Sequence, residues 1–180
     1  MTQAYAYDTA SSRRRDRSAL VPVDIDAAVD GPRMLMAIHE RVERQFAAYE
    51  DAEGSHARQY RALRAIGAVL ATHVTLEDEL LYPALRAQTA RHDHEIEQQL
   101  QQDHLLDMLL VELRGMIPSD PYYDAKVRVL MQVFRQHARD AEGLLVPELR
   151  RRLEPGEREV LGRRLLERVA QLEGVARPGR

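Results

Sequence analysis

The sequence predicts an all-α protein, an up-down-up-down four-helix bundle with an extra C-terminal helix. Of its 180 residues only 5 % are aromatic, whereas Ala, Leu, Glu, Arg and Gln, all good helix formers, are abundant. Apolar residues recur at intervals of three and four over long segments, and no alternating pattern typical of strands competes with them. The loops between these segments are short, which favours antiparallel packing of consecutive helices.

Five segments carry the helical period. The first is predicted from about Ile25 to Glu50 and the fifth after Pro155 and Gly156, and the three between them cover about 56–88, 93–116 and 122–153. Gly54 separates the first two segments, and Pro118 and Pro121 end the third, because proline cannot continue a helix.

The same pattern predicts the organisation of the chain. Residues 1–22 lack an apolar period and contain a run of arginines, so we expect a flexible N-terminal tail. Residues 23–153 would form the bundle, and residues 154–180 the C-terminal helix and a short tail.

Composition excludes several classes of function. The chain has no cysteine, which excludes disulfides, thiolate metal sites and cysteine nucleophiles. Its formal net charge of −3 argues against a dedicated nucleic-acid binder, and no apolar run is long enough to span a membrane. We therefore expect a cytoplasmic protein that binds neither nucleic acid nor membrane.

Four histidines recur at nearly constant intervals, one in each bundle helix. His39, His73, His104 and His137 are separated by 34, 31 and 33 residues. Each has apolar neighbours three, four or seven positions away, so all four are predicted to face the interior. A single buried histidine is usually a packing residue, but four that converge would leave many ring nitrogens unsatisfied unless something coordinates them.

Two carboxylates are predicted to join these histidines. Glu77 follows His73 by four residues and shares its face, whereas Glu142 follows His137 by five and lies on the flank of that face. Histidines and glutamates that project into a helix bundle are a recurring way to hold two metal ions.

Several stretches resemble the hemerythrin-like, or HHE cation-binding, family. They are Ala37–Glu43 in the first helix, HVTLEDELLYPAL (His73–Leu85) in the second, QQDHLLDMLLVEL (Gln101–Leu113) in the third and HARDAEGLLVPEL (His137–Leu149) in the fourth. The second and fourth stretches repeat one pattern, a histidine, an acid four or five residues later, and then Leu-x-Pro. The resemblance covers about residues 27–173.

The resemblance implies two non-heme iron ions, bridged by two carboxylates and by an oxo or hydroxo group. By position, His39 and His73 would serve one iron, His104 and His137 the other, and Glu77 and Glu142 would bridge them. The implied function is to bind dioxygen, nitric oxide or peroxide in sensing, storage or detoxification, with weak peroxide or nitric oxide turnover at most. An iron storage or homeostasis module and a metal-stabilised interaction scaffold are the alternatives.

The third and fourth helices depart from the family pattern. Oxygen-carrying members have two histidines four residues apart on the third helix, but Leu100 and Met108 occupy those positions around His104. One iron would then have an open position, unless Glu97 or Asp103 completes its shell. On the fourth helix, Ala141 stands where many relatives have an acid, which leaves the second bridging role to Glu142.

Overall fold

A computed structural model describes residues 30–174, and these form an all-helical bundle. The predicted N-terminal tail lies outside the described residues. The helices are α1 (Gly31–Glu50), α2 (His56–Leu76), α3 (Tyr82–Arg86), α4 (Asp93–Arg114), α5 (Tyr123–Asp140), α6 (Val146–Arg152) and α7 (Pro155–Glu173). None of the helices in this range has both the length and the apolar character needed to cross a membrane.

Local sequence explains where several helices begin and end. The Asp30 side chain caps α1 by accepting a hydrogen bond from the backbone N–H of Arg33. Gly54 takes a left-handed backbone conformation, with φ of 78°, in the turn before α2. A capping box formed by Glu154 and Glu157 starts α7.

Two short π-helical segments interrupt two of the long helical stretches of the bundle. The first, Glu77–Leu81, joins α2 to α3, and the second, Ala141–Leu145, joins α5 to α6. Each is followed by a proline, Pro83 or Pro147, near the start of the next helix. Proline lacks an N–H and its ring crowds the preceding turn, so a wider π turn before it relieves the conflict.

The four rods α1, α2–α3, α4 and α5–α6 form the predicted up-down-up-down bundle, and α7 packs beside α1. Gly31 makes this approach possible, because a Cβ atom there would lie 2.7 Å from Cγ of Leu161 on α7. The buried apolar side chains form two clusters, one around Ile38, Leu76 and Leu145 and the other around Phe46, Leu70 and Phe134. A layer of buried polar side chains lies between the two apolar clusters.

The orientation predicted for α4 is wrong. We expected His104 to point inward with its neighbours at positions 100, 108 and 111, but His104 is exposed, and Met108 and Val111 are 47 % and 63 % exposed. The buried side is formed by Ile96, Gln99, Asp103, Leu106, Leu110 and Leu113. The helix carries apolar residues on both sides, and two polar residues interrupt its true core stripe, so periodicity alone favoured the wrong face.

Candidate metal centre

Four potential metal ligands converge in the polar layer between the two apolar clusters. They are His39 on α1, His73 on α2, Glu77 in the first π-helical segment and His137 on α5. One ligand atom from each lies within 4.8 Å of the others, and all four residues are buried. The sequence predicted all four from their position on the apolar stripes of three helices.

The ε nitrogens of two histidines meet one oxygen of Glu77. His73 Nε2 lies 2.9 Å from His137 Nε2, and Glu77 Oε2 lies 3.2 Å from the first and 3.1 Å from the second. The His39 ring packs edge-on against His73, with ring centroids 5.0 Å apart. Three imidazoles and one carboxylate, all buried, therefore surround a small volume.

Unsatisfied donor and acceptor atoms indicate what this volume fits. His39 Nε2 and Glu77 Oε1 are buried without a hydrogen-bond partner among the described residues, and they lie 3.9 Å apart. Buried polar atoms are nearly always satisfied, so two such atoms facing each other need an explanation. A metal ion such as zinc bonds imidazole nitrogen and carboxylate oxygen at about 2.0–2.2 Å, so a metal ion fits between them.

The two histidines that meet at Glu77 have opposite pKa shifts. Burial lowers the pKa of His73 to about 3, although the charge of Glu77 opposes this. Burial also disfavours the charged form of His137, but the charge of Glu77 and a hydrogen bond to it outweigh this and raise the pKa to about 9. Burial by itself would raise the pKa of Glu77, yet the charges of His73 and His137 lower it well below its usual value. The metal-free cluster therefore holds one proton on His137 beside an ionised Glu77.

Tyr82 and Asp103 extend the cluster toward α4. The Tyr82 hydroxyl donates to Glu77 Oε2 at 2.8 Å and lies 3.1 Å from Asp103 Oδ2. The other oxygen of Asp103 lies 3.4 Å from Nδ1 of His137. Burial and the charge of Glu77 raise the pKa of Asp103 to about 7, despite the opposing charge of His137. Burial and the two neighbouring carboxylates also raise the pKa of Tyr82, so it stays protonated.

Glu142 contacts the cluster from outside. Its Oε1 lies 2.7 Å from Nδ1 of His39, on the opposite side of the ring from the nitrogen that faces Glu77. The Glu142 side chain is 39 % exposed, whereas that of Glu77 is fully buried. Glu142 is not among the four residues whose ligand atoms converge.

A sequence model of the hemerythrin HHE cation-binding domain matches residues 30–149. The chain belongs to this family. The four converging ligands all lie within the matched region, so its membership agrees with a metal-binding centre in the bundle.

A solved structure supports the hemerythrin fold. The chain is similar to a hemerythrin HHE cation-binding domain-containing protein from Mycobacterium kansasii, with 23 % sequence identity and a TM-score of 0.70. The similarity covers 81 % of this chain and 88 % of the mycobacterial chain. No curated protein matches the sequence.

The structure brings together most, but not all, of the residues predicted for the hemerythrin centre. His104 stands apart because it is exposed on the outer side of α4. Asp103, one of the two acids named from the sequence as able to complete the shell, occupies the inward position instead. The polar contacts of Tyr82 were missed, because the Leu-x-Pro pattern in which it lies gives no indication of what its hydroxyl contacts.

Proposed function

We propose that this protein binds two non-heme iron ions and uses them to bind dioxygen, nitric oxide or peroxide. The observation that supports this most strongly is the buried set of His39, His73, Glu77 and His137, in which donor atoms face each other without hydrogen-bond partners. Neutral imidazoles and carboxylates, without sulfur, suit iron among the transition metals. A cytoplasmic location remains a prediction from the sequence, which fractionation of host cells would test.

The donor set favours a division of roles between the two ions. His39, His73 and His137 supply nitrogen, and Glu77 has two oxygens with which it could serve both ions. In place of His104, we propose that Asp103 supplies a ligand from α4, because it is the buried acid on that helix next to His137. The second bridging role expected of Glu142 remains a prediction, tested by the variants in the Discussion.

Iron would supply reversible binding and one-electron chemistry toward small oxidants. The residues around the centre orient its ligands and keep water out. Phe134 packs against the rings of His39, His73 and His137 and is fully buried. Tyr82 holds its proton between Glu77 and Asp103, so it fixes the orientation of both carboxylates. A dry, preorganised site of this kind limits side reactions of a bound oxidant.

Anaerobic reconstitution with Fe²⁺ tests the proposal. We expect two iron ions per chain by mass spectrometry of the metal, and a new absorption band in the visible or near ultraviolet on exposure to dioxygen, nitric oxide or peroxide. Iron well above two per chain would favour a storage role. A colourless, redox-inactive protein that retains zinc from its native host would favour a metal-stabilised scaffold and contradict the proposal.

A further inference from the structure

The four ligands of the proposed metal centre are almost completely buried by the part of the chain that the structure describes. His73, Glu77 and His137 are fully buried, and His39 is 3 % exposed. Tyr82 and Asp103, which contact Glu77 and His137, are also buried. Among the described residues that contact the four ligands through hydrogen bonds or ion pairs, Glu142 alone has a side chain with substantial exposure. The side of the centre at His39 and Glu142 is therefore the side nearest to solvent.

A groove on the protein surface leads to this pair. It lies between α1 and the fourth rod, has a volume of about 750 Å³ and is lined by both His39 and Glu142. Ala47 and Ala138 contribute only methyl groups to its lining, which keeps it open, and Phe134 forms part of its inner wall. The groove is wide enough for water-sized solutes.

The charged residues along the groove hold its walls in place. Arg135 makes a two-pronged ion pair with Glu43, in which its Nε and Nη2 lie 3.0 Å from the carboxylate oxygens. Because this pair joins α5 to α1 across the groove, it fixes the separation of the two helices. Glu142 does not take part in this pair, and its hydrogen bond goes to the ring of His39.

The His39 ring forms the inner end of the groove. One ring nitrogen, Nδ1, bonds Glu142 on the groove side, and the other, Nε2, faces Glu77 on the inner side. The ring thus separates the groove from the other three ligands. Turning this ring about its side-chain bonds would open a path, and the hydrogen bond to Glu142 opposes that rotation.

We propose that the groove between α1 and α5 is the route by which metal ions and small ligands reach the centre, and that the His39 ring closes its inner end. The proposal rests on the proposed metal-binding function and adds a path to it.

A bulky chemical adduct, attached inside the groove after folding, tests the route. The chain has no cysteine, so Ala138→Cys provides a single thiol inside the groove, and Ala48→Cys provides one on the exposed side of α1 outside it. Each folded variant is modified with a methyl or a bulky aromatic thiol reagent, and the uptake of Co²⁺ is followed by its visible absorption. We expect the bulky adduct at position 138 to slow uptake at least tenfold with unchanged final occupancy, and the other three adducts to leave the rate unchanged.

Two outcomes would overturn the route: an unchanged rate with the bulky adduct at position 138, or an equal slowing by the bulky adduct at position 48. A wild-type chain that binds no metal would contradict the proposed function itself, whereas metal uptake that the adduct at position 138 does not slow contradicts only this inference.

Discussion

Two repeats of one sequence pattern build opposite sides of the centre, and they differ in how they place an acid. The first repeat begins at His73 and the second at His137, and each continues through a π-helical segment into a short helix with proline near its start. In the first, the residue four positions after the histidine is Glu77; in the second it is Ala141, and both are fully buried. The same backbone position thus carries a carboxylate on one side and a methyl group on the other.

Moving the acid by one position changes its environment. Ala141 is fully buried, but the next residue of the π-helical segment points to a different side of the helix, so an acid at 142 lies away from the face on which Ala141 is buried. Glu142 is 39 % exposed and reaches only the outer nitrogen of His39. One repeat therefore supplies a ligand inside the core, while the other supplies a residue at its rim.

The two repeats should differ most in how strongly metal occupancy depends on the acid that each supplies. Glu77→Ala should lower metal occupancy to near zero, because it removes the only carboxylate among the four converging ligands, while the helix content by circular dichroism stays the same. Glu142→Ala should lose less metal than Glu77→Ala, because the Glu142 side chain is 39 % exposed and contacts the outer nitrogen of His39. Asp78→Ala, an exposed neighbour of Glu77, serves as a control. Two ions retained in Glu77→Ala would contradict the ligand assignment, and loss of one ion in Glu142→Ala would instead make Glu142 a ligand.

A second comparison concerns the acid of α4 that faces the two repeats. Asp103→Asn should lose one of two iron ions, because the variant keeps the size of the side chain but removes a charged oxygen ligand. His104→Asn, one residue away on the exposed side, should keep both. Burial raises the pKa of Asp103 to about 7, so the ionised form is costly, and metal-free Asp103→Asn should be at least as stable as the wild type above pH 7. Equal metal content in the two variants would exclude Asp103 as a ligand.

The histidines of the two repeats should differ in proton release. His73 is neutral in the metal-free protein, whereas His137, with its pKa raised to about 9, carries a proton at pH 8. A metal ion must displace that proton, so above the pKa of about 7 of Asp103 the affinity should rise about tenfold per pH unit up to pH 9 and then level off. Calorimetry at pH 8 in two buffers of different ionisation enthalpy should show about one proton released per chain.

The same shift predicts how the metal-free protein responds to pH. Because the folded-state pKa of His137 is raised above its usual value of about 6.5, its contribution to stability is complete below that pH and disappears as pH rises through about 9. The change should be absent in His137→Asn. Unfolding by urea between pH 6 and 10 measures it, and equal slopes in wild type and variant would contradict the assignment of the proton.

How far the sequence predicts this centre depends on how clearly each helix separates its faces. On α1, α2 and α5, each histidine lies on the apolar stripe of its own helix. Periodicity therefore predicts both the fold and the inward direction of these side chains. On α4, apolar residues such as Met108 lie on the outer side while Gln99 and Asp103 lie on the inner side, so the pattern cannot identify the buried face. The contacts of Tyr82 and Glu142 depend on π-helical turns, which place side chains in directions that the α-helical period does not predict.

The smallest expected effect tests the last difference between the repeats, the residue before proline. Tyr82 in the first repeat and Val146 in the second are both buried, but only tyrosine has a hydroxyl, which donates to Glu77 and lies 3.1 Å from Asp103. Tyr82→Phe removes the hydroxyl, which the second repeat also lacks, without changing the packing of the ring. It leaves buried carboxylate oxygens without that donor, which costs about 1–3 kcal/mol.

We therefore expect metal-free Tyr82→Phe to unfold at lower urea concentration than the wild type, with an unchanged dependence of free energy on urea. Tyr122→Phe, whose ring is 73 % exposed, should behave as the wild type. The loss should shrink when metal is bound, because an ion that takes up the carboxylate oxygens replaces the missing donor. An equal loss of stability with and without metal would mean that the metal does not bind these carboxylates and that Tyr82 plays no part in the metal centre.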